Sequence, residues 1–180
     1  SLVGSEMCIR DRRTAEVKYD VLPSNIDLTA AEVGLLGMDS REYVMRGLLK
    51  GAAYDYVLID CPPSLNILTV NALTAANSVL IPMQCEYYAL EGLSALLETI
   101  KALRVSSNPH LDIEGLLRTM YDPRISLSRD VSRQLVTHFG EKLFRTVIPR
   151  NIKLAEAPSH GLPVIEYDRS SCLLYTSDAA

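Results

Sequence analysis

Apolar residues in this chain gather in two forms: short continuous runs of strand length, and longer stripes at helical spacing. Tyr56-Val57-Leu58-Ile59, Val79-Leu80-Ile81, Ile113 to Met120 and Leu143 to Ile148 are of the first form. Such runs suit strands covered on both faces, as in a parallel sheet. Pro82 and Pro149 are expected to stop the second and the last, because proline cannot donate to a ladder. Val17 to Leu22, ended by Pro23, reads as a further short strand. Helices are predicted between the strands. Asp27 or Thr29 can cap one through about Leu36, and Ser40 another through about Lys50, with Gly51 suited to its C-terminal end. Residues 64–77 follow as a helix with Leu65, Leu68, Ala72 and Ala75 on one face. Leu90 to Arg104 carries a stripe of Leu93, Leu96, Leu97, Ile100 and Leu103, which reads as core packing. Ser128 to Phe139 turns Val131, Leu135, Val136 and Phe139 inward and is closed by Gly140. Strands alternating with helices predict an α/β fold, a doubly wound and mostly parallel sheet. Right-handed crossovers then put the strand C-terminal ends on one edge, where ligands of open α/β sheets bind.

The two ends depart from this pattern. Residues 1–12 and 171–180 have no period and are expected to be non-native end sequence, leaving 13–170 as one partial domain. At 180 residues and 48% hydrophobic composition the chain can bury a core. No apolar run approaches the ~20 residues that span a bilayer, and no signal peptide opens the chain, so a soluble intracellular protein is expected. The net charge of −4 gives no global hint of nucleic-acid binding, which would need a local basic patch. Cys8, Cys61, Cys85 and Cys172 show no C-x-x-C spacing and read as reduced buried thiols. His110, His138 and His160 are scattered without ligand spacing, and no G-x-S-x-G elbow surrounds Ser64 or Ser159.

One stretch carries chemistry. Tyr54-Asp55-Tyr56-Val57-Leu58-Ile59-Asp60-Cys61-Pro62-Pro63-Ser64-Leu65 has an apolar strand delivering Asp60 to the sheet edge, followed by prolines that force an extended turn. A carboxylate there can orient Mg²⁺ or its water beside nucleotide phosphates. The same residue could instead cap the next helix or turn.

This stretch resembles the Walker B region of the ParA/Soj family of deviant-Walker P-loop ATPases, where I-D-x-P-P-S-L is typical. Four further blocks follow the family in order: Leu22-Pro23-Ser24-Asn25-Ile26-Asp27-Leu28; Ile81-Pro82-Met83-Gln84-Cys85-Glu86-Tyr87-Tyr88; Thr119-Met120-Tyr121-Asp122-Pro123-Arg124, similar to T-M-x-D-x-R; and Ile148-Pro149-Arg150-Asn151-Ile152-Lys153-Leu154-Ala155-Glu156-Ala157-Pro158-Ser159, similar to I-P-R-N-x-R-L-x-E-A-P-S. The resemblance implies a P-loop NTPase type sheet and an ATP hydrolase using ATP and Mg²⁺, with Asp60 as the Walker B carboxylate near the metal. It places Thr119, Pro149 and Asn151 at the base pocket, although Pro149 also suits strand termination and Asn151 a turn. It places Arg124 and Lys153 on non-specific DNA, with Arg150, Arg129 and Arg133 able to extend the patch. Lysine stands at 153 where the family more often has arginine, which keeps the charge and loses the bidentate fork.

For the intact protein the resemblance implies an ATP-dependent homodimer in the cytoplasm on the nucleoid. A ParB-like centromere-binding partner and a role in chromosome or plasmid segregation are implied with it, and no membrane is expected. The family's K-G-G-x-G-K-T-T loop and D-x-D-P-Q segment are not among these 180 residues. The chain is therefore expected to be truncated at the N-terminus, and neither to hydrolyse ATP nor to fold well alone. Two other readings are a MinD-like membrane-associated ATPase, which would need a C-terminal amphipathic helix, and a non-catalytic interaction protein of the same fold.

Overall fold

The computed structural model describes residues 20–22, 24, 27–62 and 64–168. The chain divides into two units, residues 1–41 and 42–180. The first holds helix α1, Asp27–Leu36, close to the predicted span. The predicted strand Val17 to Leu22 lies mostly outside the described residues, and residues 20–22 are not strand.

Ser40, near the end of the first unit, does not cap a helix. It has a φ of 53°, and a 3-10 turn over Arg41–Tyr43 leads into α2, Val44–Leu49. Gly51 follows with a φ of 90°, the left-handed region that favours glycine just past a helix end. Helix α3, Ile67–Ala75, starts at Asn66, whose side-chain oxygen accepts from the Thr69 amide at 3.0 Å. The predicted apolar face is only partly correct. Leu65 lies outside the helix and is exposed, while Thr69, Asn71, Ala72, Leu73 and Thr74 are buried. Polar residues reach that face because each is hydrogen-bonded. Asn71 accepts from the Met45 amide at 3.1 Å, and Thr74 and Ser107 share a hydroxyl contact of 3.3 Å. Asn108, 4% exposed, closes the C-terminal end of α3 by donating to the Leu73 and Ala76 carbonyls at 2.9 and 2.8 Å.

Three parallel strands follow in the order β1-β2-β3: Ser78–Gln84, Asp112–Tyr121 and Leu143–Pro149. Helices α4, Tyr87–Ser106, and α5, Ser126–Phe139, make the crossovers. This is the expected α/β class with parallel strands. The α4 stripe behaves as read, with Leu93, Ile100 and Leu103 buried. In α5, Val131 and Leu135 are buried but Val136 is 52% exposed, one position off the inward face. One core cluster joins Ile81, Met83, Cys85, Leu93, Leu116, Val131 and Leu135. A second joins Leu73, Ile100, Leu103 and Leu111, locking α3 to α4. At Gly115 a Cβ would stand 2.8 Å from the Lys142 carbonyl and 2.7 Å from the Phe144 ring, so the close approach of β2 and β3 needs glycine.

Two strand expectations are corrected. Pro82 does not stop β1, which runs on to Gln84. Among the described residues β1 lies at the sheet edge, and an edge strand tolerates proline. Tyr56 to Ile59 is not a strand, and Tyr56 and Leu58 are 88% and 92% exposed. An apolar run becomes a strand only when a neighbour completes its backbone hydrogen bonds. No strand pairs with this run among the described residues.

Candidate functional site

The C-terminal ends of the strands bring most of the predicted site residues to one edge. Register pairs Gln84 with Thr119 and Tyr121 with Pro149, and the Arg150 amide donates to the Tyr121 carbonyl at 3.1 Å. The loop after β2, carrying Asp122 and Arg124, therefore lies beside the loop after β3, carrying Arg150 and Asn151. Met120, the last but one residue of β2, has a φ of 50°, a left-handed conformation unusual for a side chain of this size. Such strain is held only where surrounding structure enforces it, and it gathers at functional sites.

Asp122 organises the β2 loop. Its carboxylate accepts from the Arg124 amide at 3.0 Å, from Nε at 2.9 Å and from Nη2 at 2.7 Å. Asp122 is 13% exposed by side chain, while Arg124 is 88% exposed, so the acid is sheltered and the cation faces solvent. The Arg124 hydrogen bonds, first from the side chain and then from the backbone, hold the Asp122 carboxyl down at about 2, with a smaller contribution from the Arg150 charge. This is a depressed folded-state value. The stabilisation it brings is present above the ordinary 3.8 and is lost as pH falls through about 2. An NMR carboxyl titration is expected to give a midpoint of about 2 for Asp122, moving up towards 3.8 in Arg124→Ala. A midpoint already at 3.8 in the unsubstituted protein would show that the fork is not closed in solution.

On the β3 side, Asn151 starts helix α6, Ile152–Glu156, and its side-chain oxygen accepts from the Lys153 amide at 2.7 Å. That oxygen is committed to the helix start, as the turn reading of Asn151 allowed. Pro149 is the last residue of β3, and Thr119 is half-buried near the end of β2. Lys153 Nζ lies 2.8 Å from Glu156 Oε2 and 5.6 Å from the ring centre of Tyr167 in α7, Val164–Tyr167. Arg129 donates to the Pro123 carbonyl at 3.1 Å, steadying the loop that carries Arg124. Arg133 pairs with Asp130 on its own helix. Sequence reading named Arg124 and Lys153 but not the acids that hold them. The signals were present, since Asp122 and Glu156 lie inside the quoted motifs.

Asp60 stands apart, exposed in a segment that takes no part in the sheet. Burial and then the Asp60 charge push the Cys61 thiol up. Cys61 is exposed and Cys85 buried, both free; Cys8 and Cys172 lie outside the described residues, so the reading as buried thiols fails for Cys61. Among the described residues no cluster of three His, Cys, Asp or Glu side chains could hold a metal. A single exposed carboxylate fits one contact to a Mg²⁺ that keeps its waters and is otherwise held by phosphates, rather than an all-protein cage.

A family model described as AAA domain (AAA_31) matches residues 4–113. A Treponema pallidum protein named chromosome-partitioning ATPase Soj is 52% identical over 149 residues, covering 82% of this chain and 59% of that protein. The chain belongs to the ParA/Soj family. A Pseudomonas putida protein is 61% identical to this family member over 155 residues, covering 85% of the chain and 59% of the relative. The chain thus spans about three fifths of the length of these relatives, 59% of each. A solved structure of cobyrinic acid a,c-diamide synthase from Mycobacterium smegmatis, with bound ADP and magnesium, matches with a TM-score of 0.64 and 40% identity. The match covers 77% of this chain and 61% of that one. The strand-end edge described above is thus the edge of a P-loop type sheet. No helix among the described residues is long and apolar enough to cross a membrane.

Proposed function

We propose that the whole protein is a partitioning ATPase whose ATP-bound dimer coats DNA without sequence preference and is released when a ParB-like centromere-binding partner triggers hydrolysis. The observation that carries this reading is the gathering of Arg124 and Arg150 on adjoining strand-end loops, with Lys153 on the helix that follows. Lysine and arginine on phosphates supply attraction and counterion release without base discrimination. The strong identity to a Treponema protein named a chromosome-partitioning ATPase supports the same reading.

In this reading Asp60 is the carboxylate nearest a phosphate-bound Mg²⁺, which supplies charge neutralisation at the phosphates when bound. Asp60 would orient the metal's water. Thr119, Pro149 and Asn151 border the base at the strand ends. Two subunits close on one another in the ATP-bound state and so present a doubled set of cations to the duplex. The 180 residues contain no G-K-T phosphate loop, and this length of chain by itself is not expected to turn over ATP.

Filter binding of random-sequence duplex to the whole protein, across a salt series, tests the interface. Binding is expected to require ATP and to weaken at least about tenfold when Arg124 and Lys153 are both alanine. With two cations lost from each of two subunits, the logarithmic salt slope should become shallower by about 3.6. Binding that ignores either ATP or the double substitution would sink the proposal.

A further inference from the structure

One carboxylate holds two structural elements and one cation together. Glu156, at the end of α6, accepts through a single oxygen, Oε2, from Lys153 Nζ at 2.8 Å and from the Tyr167 hydroxyl at 3.1 Å. The ammonium also lies 5.6 Å from the Tyr167 ring centre, within reach of a cation–π attraction. His160 also meets Tyr167, its ring stacking with centroids 4.8 Å apart and planes 25° from parallel. The Lys153–Glu156 pair is therefore joined by Tyr167 of α7, which in turn stacks on His160 from the turn between the two helices. The charges respond accordingly: Glu156 is held low, first by the Lys153 hydrogen bond and then by the Tyr167 hydrogen bond, with His160 adding to the effect.

The two candidate DNA cations are held by acids of different kinds. Asp122 is fixed in its loop by the Arg124 backbone amide as well as the side chain, and it is nearly buried. It stays in place whatever Arg124 does. Glu156 is held only by side chains, and both members of its pair are open to solvent, at 44% for Lys153 and 40% for Glu156. A phosphate oxygen can approach Lys153 only by displacing this carboxylate or by sharing the ammonium with it. Exposed pairs of this kind are weak enough to be displaced. The Lys153–Glu156 site is also electrically neutral until the pair opens, so it contributes little counterion release while closed.

We propose that Glu156 is a built-in rival of nucleic-acid phosphate for Lys153, and that with Tyr167 it sets the affinity of the interface below what its cations could reach. Glu156 is a positioning residue acting through Lys153, and the inference rests on the reading of Lys153 as a phosphate contact. Opening the pair frees Lys153 from both the carboxylate and the Tyr167 ring. The same movement removes the Lys153–Tyr167 contact between α6 and α7 and leaves the Glu156–Tyr167 hydrogen bond in place.

The test is ATP-dependent duplex binding by the whole protein, across a salt series, in five forms besides the unsubstituted one. Glu156→Gln keeps the shape and still accepts from Tyr167, so the fold is retained while the charge is lost. It is expected to bind about fivefold more tightly, with a salt slope steeper by about 0.9 per subunit. Tyr167→Phe removes only the hydroxyl donor and is expected to tighten binding by about twofold. Glu141→Gln makes the same change in net charge at the opposite end of β3 and is expected to leave binding unchanged. In Lys153→Ala binding weakens, and adding Glu156→Gln to it is expected to recover less than about twofold. Glu156→Gln equal to the unsubstituted protein, or a full gain persisting without Lys153, would overturn the inference while leaving the interface itself in place. If Lys153→Ala binds as tightly as the unsubstituted protein, the assignment of Lys153 to the interface fails and the inference falls with it.

Discussion

Asp60→Asn in the whole protein is expected to lower ATP turnover by about 100-fold, with nucleotide affinity changed far less. The substitution keeps the size and one acceptor oxygen but removes the negative charge. Asparagine would still offer an oxygen towards a Mg²⁺ at the phosphates, so nucleotide binding is expected to persist. Without the full charge it would orient the metal's shell less well, and groups in that role commonly cost 10–100-fold when removed. The measurement is steady-state hydrolysis at saturating ATP over a Mg²⁺ titration. The apparent Mg²⁺ requirement should rise, and excess Mg²⁺ should restore turnover only in part. Turnover within about threefold of the unsubstituted protein would remove Asp60 from the metal's surroundings. The prediction concerns the whole protein because Tyr56–Ile59 here has no strand partner among the described residues. A carboxylate does this work only when its strand is held in a sheet.

Legibility followed how local each determinant was. The α4 stripe and the strands around Ile81, Leu116 and Val147 were readable because their partners repeat at fixed spacing along the chain. The run at Tyr56–Ile59 shares Val-Leu-Ile with β1, yet only β1 pairs. Apolar sequence gives strand potential; a neighbour gives the strand. The inner face of α3 was misread because hydrophobicity alone was counted there. Thr69, Asn71 and Thr74 are buried through hydrogen bonds to Ser64, Met45, Ile67 and Ser107, partners that lie up to 33 residues away. At the site, motif matching located the cations, since Arg124 and Lys153 occupy recurrent positions. It did not reveal that each carries its own acid. The Glu156–Tyr167 contact spans 11 residues across a turn and two short helices, and neither side chain stands out by composition.

Leu135→Ala is expected to lower the unfolding free energy by about 3–5 kcal/mol, whereas Val136→Ala, one position along, should change it by less than about 0.5 kcal/mol. The two residues looked alike in sequence, both apolar and both predicted inward. The structure separates them: Leu135 is 0% exposed and Val136 is 52% exposed. Leu135 belongs to the cluster that carries Ile81 and Met83 of β1, Leu116 of β2 and Leu93 of α4, so truncating it leaves a cavity where sheet and helices meet. Close-packed surroundings relax only partly, and the cavity adds to the lost transfer energy. Val136 already gives much of its surface to water, so little burial remains to lose. With domain stabilities of about 5–15 kcal/mol, the Leu135 loss is a large share of the total. The corresponding shift in melting temperature is about 10 °C for a protein of this size. Paired thermal melts of the two variants read this directly. A larger loss in Val136→Ala than in Leu135→Ala would mean that α5 is rotated by about one residue on the sheet, which would also carry the Ser132–Arg118 contact away from β2. That contact holds the Arg118 guanidinium, which donates to the Phe144 and Arg145 carbonyls and so ties β2 to β3 just below the loops that bear Arg124 and Arg150. The helix rotation that buries Leu135 is therefore the same one that keeps the two cationic loops side by side.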